Sequence, residues 1–232
     1  MFKNVIKPGD KIDIKYLHQN NEKTFKSGVF DVLEDNEMEI SIPMDNGKMI
    51  LFHNGTELQF YFYSGSSIYT CEAIVKDRYK RGNFLLLLVE LTTPLKKFQR
   101  REFFRLSCLI DFVYYKINEN VAALKTTEDL IREISKEEYA SEKRLARTKD
   151  LSGGGVQFIT TEPLETGTKV FVCLPLSNSK VDRMFYLVTD IVRCFPVETM
   201  ADRWIVQGKF EYKNIKERDL VVQYVFEEDR ML

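Results

Sequence analysis

Two short segments of the chain carry side chains suited to binding an anionic ligand. The first segment contains three arginines, Arg100, Arg101 and Arg105. A guanidinium group can form paired hydrogen bonds with a phosphate or with guanine O6 and N7, and it can stack on a purine ring. The second segment contains Asp150, which can accept hydrogen bonds from guanine N1–H and the guanine amine, and Ser152, which can donate to a phosphate. Its glycine run, which ends at Gly155, lets the backbone approach a ligand closely.

The order and spacing of these residues resemble a known family. Arg101-x-x-x-Arg105 is similar to the RxxxR motif of the PilZ domain, the bacterial receptor for cyclic di-GMP, and Asp150-x-Ser152-x-x-Gly155 is similar to its [D/N]xSxxG motif. Each motif alone is weak, but here both occur in the family's order and strand-like segments follow. A β-rich segment precedes the motifs and a short helix closes the chain. This layout is similar to that of the YcgR-type flagellar brake proteins, and it covers nearly the whole sequence.

The resemblance implies a role for each motif residue. Arg101 and Arg105 would clamp phosphates and guanine edges. Asp150 would read the guanine, Ser152 would contact a phosphate, and Gly155 would hold the turn.

The resemblance also implies a function for the whole protein. Cyclic di-GMP is the expected ligand, and no other cofactor is expected. Arg100 is predicted to stack on a guanine and to help hold two ligand molecules. Ligand binding would reorient two domains and present a face to a partner, for which a flagellar motor or switch protein is expected. We therefore expect a cytoplasmic monomer or weak dimer, recruited to the flagellar basal body, that regulates motility.

Composition narrows the classes of function. The net charge is −1 and the pI is near 6.2, so no global basic field draws the chain to a nucleic-acid polymer or an anionic membrane. The four cysteines are far apart in apolar stretches, which is typical of reduced core thiols in a cytoplasmic protein. With two histidines and no Ser-His-Asp or Cys-His arrangement, we expect neither a metal site nor catalysis.

No segment is predicted to enter a membrane. The first residues contain no apolar signal-peptide core. The longest apolar run, residues 84–89, is much shorter than the ~20 residues that a membrane-spanning helix needs. We expect any membrane contact to be made through a partner.

The alternation of polar and apolar residues predicts a mainly β protein with a small barrel or sandwich. The resemblance implies two small β-barrel domains in tandem, with an inserted helix and a C-terminal helix. The N-terminal YcgR-like barrel is predicted over residues 1–93, with strands at 11–16, 24–33, 37–42, 48–52, 57–63, 67–76 and 84–91. The aromatic run from Phe60 to Tyr63 is typical of core and cross-strand pairs. Residues 94–102, which include Pro94 and ligand-binding arginines, are predicted to form the linker.

The PilZ domain is predicted over residues 103–232, with strands at 103–115, 156–160, 168–174, 181–194 and 203–212. About thirty residues before the second motif depart from the family pattern. They are predicted to hold a mostly solvated helix that begins at Thr126 and has Arg147 towards its far end. A capping box at Asn214 predicts a terminal helix whose apolar stripe packs on the barrel or on a second subunit.

Two other interpretations stay open from the sequence. The small barrels and the basic, aromatic segment also fit a single-stranded nucleic-acid-binding protein, whose affinity would fall steeply with salt. The chain could also be a PilZ-like scaffold that does not bind nucleotide. In that case the arginines would form an interdomain salt-bridge patch and the glycines an ordinary hairpin turn.

Overall fold

The computed structural model describes residues 2–18, 21–34 and 36–231. The chain forms two compact units that divide between Arg100 and Arg101. Each unit is built on a β-barrel, so the prediction of a mainly β protein with two barrels is confirmed.

Six strands of the first unit close into a barrel, in the order β1-β6-β7-β8-β3-β2 and back to β1. The short strands β4 and β5 form a hairpin beside β2, and β9 pairs with β7. The strands are β1 Lys11–His18, β2 Asn21–Val32, β3 Glu37–Ser41, β4 Met44–Asp45, β5 Lys48–Met49, β6 Glu57–Ser64, β7 Ser67–Arg81, β8 Phe84–Leu91 and β9 Lys96–Lys97.

The period-2 pattern of β6 shows why these residues form a barrel wall. Leu58, Phe60 and Phe62 are buried in the core, whereas Tyr61 and Tyr63 between and after them are half-buried on the opposite face. The prediction that the aromatic run lies in the core is therefore correct for Phe60 and Phe62.

The described residues of the second unit form seven strands and three helices. The strands are β10 Arg105–Ser107, β11 Asp111–Ile117, β12 Lys143–Ser152, β13 Gly155–Thr160, β14 Lys169–Ser177, β15 Asp182–Pro196 and β16 Trp204–Glu211. The helices are α1 Glu119–Ala122, α2 Thr127–Ile134 and α3 Ile215–Met231, and a 3₁₀ turn spans Glu137–Glu142. Strands β11 to β16 close into a six-stranded barrel, and β10 pairs with the end of β12 that β11 does not reach.

The two barrels share one strand order. Numbered along the chain, the six strands of each ring are arranged first, fourth, fifth, sixth, third, second. Each barrel also has a one-residue β-bulge in its second strand and another in its fifth, at Phe30, Lys76, Lys149 and Val192. Because a bulge re-aims the side chains that follow it, these four positions decide which residues face outwards.

The predicted single strand over 103–115 is wrong. The structure has two strands, β10 and β11, that pair with different parts of β12. The hydroxyl of Thr148 holds the break between them, because it donates to Cys108 O at 2.7 Å and accepts from Ile110 N–H at 2.8 Å. Leu109, between these two residues, is 75% exposed.

The prediction for the inserted helix is correct at its start and wrong at its end. Thr126 caps α2, since its hydroxyl accepts from Asp129 N–H at 3.1 Å. The helix ends at Ile134, and Arg147 lies on β12, where it forms a paired ion bridge with Asp111 on β11 at 2.5 and 2.8 Å. The helix is also not mostly solvated, because Leu130 and Ile134 are buried against the outer side of the barrel.

The terminal helix α3 forms as predicted, but the predicted capping box does not, because the Glu217 side chain makes no hydrogen bond with Asn214 N–H and one of its oxygens has no partner among the described residues. Asn214 accepts a hydrogen bond from Lys216 N–H at 3.0 Å and so satisfies a free donor at the helix start. Val221, Tyr224 and Val225 form the predicted stripe and join the core of the second barrel. Within the described ranges, no helix is both long enough and apolar enough to cross a membrane.

Candidate functional site

The pairing of β10 with β12 brings the two predicted motifs together. Arg105 is the register partner of Ser152, and Ser107 is the partner of Asp150. Register partners in an antiparallel pair lie on the same face of the sheet. The alternate residues Leu106 and Leu151 are buried in the core, so Arg105, Asp150 and Ser152 share the outer face.

The β-bulge at Lys149 is what turns Asp150 outwards. Thr148 is fully buried and pairs with the buried Phe158 of β13. In a regular strand Asp150, two residues later, would point into the same core. The extra residue instead places Asp150 opposite Gln157, where its side chain is half-buried and makes no hydrogen bond or ion pair with any described residue.

Ser152 organises the glycine turn with its side chain. Its hydroxyl donates to Gly155 O at 3.2 Å and accepts from Gly154 N–H at 3.3 Å. The hydroxyl hydrogen that was predicted to reach a phosphate is thus already bonded within the turn.

Strand β16 and the residue after it hold the same turn from the other side. Phe210 N–H donates to Gly154 O at 3.0 Å, and the Tyr212 hydroxyl donates to Gly153 O at 3.0 Å. Burial raises the pKa of Tyr212, which keeps its hydroxyl protonated as a donor. The turn is therefore fixed by four hydrogen bonds.

Close packing excludes a side chain at Gly153 and Gly155, whereas a Cβ on Gly154 would make only a tight contact, 3.0 Å from Phe103 Cδ2. None of them adopts a positive φ. A Cβ on Gly155 would lie 2.1 Å from Gly208 O, and one on Gly153 would lie 2.3 Å from Val222 Cγ2 and 2.7 Å from Phe103 Cδ1. The predicted reason, close approach of a ligand, is thus not needed to explain why glycine occupies these positions.

Phe103 is an organising residue that the sequence analysis missed. Its ring packs on Gly153 and Gly154, and the Arg218 guanidinium of α3 lies 5.8 Å from the ring centroid. Phe103 stands between Arg101 and Arg105, so it anchors the arginine motif to the glycine turn. A phenylalanine between two motif arginines was the available signal, but its partners are about fifty residues or more away in sequence.

The three arginines have different surroundings. Arg101 and Arg105, in the second unit, are exposed and form no ion pair or hydrogen bond with residues in the described ranges. Arg100 belongs to the first unit, where its guanidinium lies 5.4 Å from the Tyr63 ring centroid and donates to the Tyr63 hydroxyl at 3.3 Å. Tyr63 in turn donates to the Asp13 carboxylate. Burial raises the pKa of Tyr63, and this hydrogen bond raises it further.

The thiol next to the site is not set up as a nucleophile. Burial raises the pKa of Cys108, a hydrogen bond with Thr148 opposes that change, and the charge of Asp150 adds to it. A protonated thiol is a poor nucleophile. In the part of the chain that the structure describes, no three His, Cys, Asp or Glu side chains are placed to hold a metal ion. The arrangement offers free guanidinium donors and one carboxylate acceptor, which is chemistry for binding.

Comparisons of the fold give a full-length structural match. The structure of the Bacillus subtilis inhibitor of motility, MotI/DgrA, superposes with a TM-score of 0.77 at 17% identity, covering 97% of this chain and 98% of that one. YcgR from Escherichia coli in complex with c-di-GMP is more distant, with a TM-score of 0.46 and 12% identity over 96% of this chain and 86% of that one. A search of curated protein sequences gives no match.

Family models cover most of the sequence. The model described as flagellar protein YcgR, PilZNR, matches residues 7–92, and the PilZ domain model matches residues 99–227. The resemblance found in the two motifs is thereby confirmed. Since the PilZ model spans more than half of the 232 residues, the chain belongs to the PilZ domain family and carries an N-terminal domain of the YcgR type.

Proposed function

We propose that this protein is a receptor for cyclic di-GMP. The observation that carries the proposal is the pairing of Arg105 with Ser152, which places a free guanidinium beside the free carboxylate of Asp150 on one outer face. Guanidinium groups bind phosphate and guanine O6/N7, and a carboxylate accepts from guanine N1–H and the amine. The family membership supports this ligand, as does the c-di-GMP bound by the Escherichia coli YcgR structure.

Each motif residue has a proposed role. Arg101 and Arg105 bind phosphates and guanine edges, and Asp150 reads the guanine. Gly155 keeps the turn against β16, and Ser152 contacts a phosphate. For that contact the Ser152 hydroxyl must exchange its bond with Gly155 O for one with the ligand.

Titration with cyclic di-GMP tests the proposal directly. Native protein should bind saturably, and Arg101→Ala should lose binding because a charge-assisted bond to phosphate is worth about 1.5–3 kcal/mol. Arg132→Ala is a matched control, since Arg132 is an exposed arginine on α2 that pairs with Asp129 and with no other described residue. Equal affinity of the Arg101 variant and the control would contradict the proposed role of Arg101. Affinity that falls steeply with salt and does not prefer this dinucleotide would instead indicate a nucleic-acid-binding protein.

Arg100 is proposed to stack on a guanine and to help hold a second ligand molecule. To do so, its guanidinium must leave the ring of Tyr63 or share it. Calorimetry should give two ligand molecules per native chain and one per Arg100→Ala chain. A value near one in both proteins would remove this role.

The proposed domains are residues 1–93 and 103–232, joined by the linker 94–102. Lys96–Lys97 pairs with β7, and Phe98 N–H donates to Ile68 O at 2.8 Å. We therefore propose that the hinge between the two domains lies at 99–102, where Arg100 and Arg101 belong to different units. Ligand binding to these arginines is proposed to reorient the domains.

The proposed output is control of flagellar motility through a motor or switch protein. It draws on the YcgR description of the matching family model and on the name of the B. subtilis relative, an inhibitor of motility. The protein would act in the cytoplasm at the basal body, as a monomer or weak dimer and without turning the ligand over. Swimming in soft agar should slow on expression of native protein and not of Arg101→Ala, and the ligand should be recovered unchanged after incubation.

A further inference from the structure

The outer face that carries Asp150 continues across the second barrel as a row of polar side chains. Asp150 on β12 pairs with Gln157 on β13, Gln157 pairs with Gln207 on β16, and Gln207 pairs with Arg193 on β15. Register partners stand side by side on one face, so these four residues form a single line across four strands. The line spans roughly 14 Å, since neighbouring strands lie about 4.8 Å apart.

Both ends of this row are turned outwards by β-bulges. Ile191 is buried in the core, and the extra residue Val192 places Arg193 on the outside, as Lys149 does for Asp150. Without the bulges both end residues would follow their buried neighbours inwards.

The polar side chains of the row have no hydrogen-bond partner among the described residues. Gln157 and Gln207 are half-buried and Arg193 is exposed, and none of the three side chains forms a hydrogen bond or ion pair with another described residue. Half-buried amides without partners are costly unless a ligand or solvent satisfies them. An amide offers both a donor and an acceptor, which matches the edge of a nucleobase.

A second row lies beside the first and has the character of a phosphate site. Arg105 pairs with Ser152, Ser152 with Gly155, and Gly155 with Lys209 on β16. Gly155 leaves a gap without a side chain between the hydroxyl and Lys209. The next residue in the row, Asp190, has its carboxylate 3.7 Å from Lys169, and Lys209 itself is exposed and has no ion pair with any described residue.

We propose that Gln157, Gln207, Arg193 and Lys209 form a second subsite beside the motif residues, which binds the other nucleotide of a dinucleotide ligand. Lys209 and Arg193 contact its phosphate, and the two amides contact its base. This inference rests on the proposed function, because it extends the same face and the same ligand class.

Two shape-preserving variants test the subsite. Lys209→Met keeps an unbranched apolar stem and removes the charge, and Gln157→Met keeps the length of the side chain and removes the amide. Each should weaken cyclic di-GMP binding about ten-fold, the effect of losing one good hydrogen bond, and Lys209→Met should also make the affinity less sensitive to salt. Lys180→Met, at an exposed lysine before β15, is the matched control and should bind like native protein.

The outcomes separate the two proposals. Thermal unfolding without ligand identifies a variant that does not fold, in which case the other variant decides. If native protein binds, Asp150→Ala does not, and the folded variants at Lys209 and Gln157 bind like native protein, the second subsite is wrong and the receptor function stands. If native protein does not bind cyclic di-GMP, both proposals fall.

Discussion

At the scale of single residues, the candidate site depends on the lack of a side chain at Gly155. Gly155 lets β13 and β16 approach so closely that a Cβ on Gly155 would lie 2.1 Å from the backbone oxygen of Gly208. A backbone atom in a paired strand cannot move aside as a flexible side chain can. The turn that positions Asp150 and Ser152 is therefore intolerant of any side chain at Gly155.

Gly155→Ala is predicted to destabilise the protein by about 1–3 kcal/mol, the usual cost of forcing an extra methyl into a packed site. Gly28→Ala is the control, because the nearest atom to its Cβ would be Asp10 O at an ordinary 3.7 Å. Urea denaturation of both variants measures the difference. Equal free energies of unfolding would show that the β13–β16 approach relaxes easily.

At the scale of elements, the short strand β10 attaches the arginine motif to the strand that carries Asp150. The attachment includes the backbone pairing of residues 105–107 with β12 and the ring of Phe103 on the glycine turn. Helix α3 supports the ring, since the Arg218 guanidinium lies 5.8 Å from its centroid, and Phe226 of the same helix stacks on Phe104. Removing the Phe103 ring would leave Arg101 held only through residue 104 and β10.

Phe103→Ala is therefore predicted to weaken ligand binding and to lower the free energy of unfolding by on the order of 1–3 kcal/mol. Phe103→Leu should retain most of both, because it keeps an apolar contact with Gly153 and Gly154. Titration and urea denaturation on the same preparations give the two quantities. Unchanged affinity in the alanine variant would mean that the arginines are positioned without Phe103.

The elements also show what the sequence could and could not predict. Alternation identified most barrel strands and the apolar stripe of α3, because one buried face leaves a clear periodic pattern. Strand β12 was missed, since its many charged residues, among them Arg144 and Arg147, follow a helical segment and alternate with few large apolar residues. The break between β10 and β11 depends on Thr148, about forty residues away, and no local pattern encodes it.

The two motifs were found because their spacing is local, whereas their juxtaposition is not. The sequence separation of Arg105 and Asp150 does not predict that β10 pairs with β12. The contacts of Phe103 and the row from Asp150 to Arg193 likewise follow from strand order and bulges, which only the folded chain displays.

At the scale of the whole molecule, the two barrels share one strand order, and each has an aspartate directly after the bulge of its second strand. The surroundings of these two aspartates differ. In the first barrel, Asp31 follows the bulge in β2 as Asp150 follows the bulge in β12. Asp31 lies 3.7 Å from the Arg81 guanidinium, which also bonds the buried Glu39 at 2.7 Å. The acid is paired with an arginine in the first barrel, whereas in the second barrel Asp150 forms no ion pair with any described residue.

The protein is also predicted to lose stability in alkali. Burial raises the pKa of Cys71 from 9.0 to about 12 and that of Tyr224 from 10.0 to about 12. A raised pKa in the folded state means that the fold favours the protonated form. This stabilisation is intact below the unfolded pKa values and is lost as the pH rises from about 9 through 12.

Urea denaturation at a series of pH values should show a constant free energy of unfolding just below about pH 9 and a decline between about pH 9 and 12. Tyr224→Phe, which has no proton to lose, should decline less steeply than native protein. An equal slope in both proteins would show that Tyr224 does not contribute.

The receptor function is tested most directly by calorimetric titration of native protein and of Asp150→Ala with cyclic di-GMP. Alanine removes both carboxylate oxygens, so no side-chain acceptor remains for guanine N1–H and the guanine amine. We expect saturable binding by native protein that is lost in Asp150→Ala, while the free energy of unfolding is unchanged. Absence of binding by native protein, or equal binding by both proteins, would contradict the receptor function.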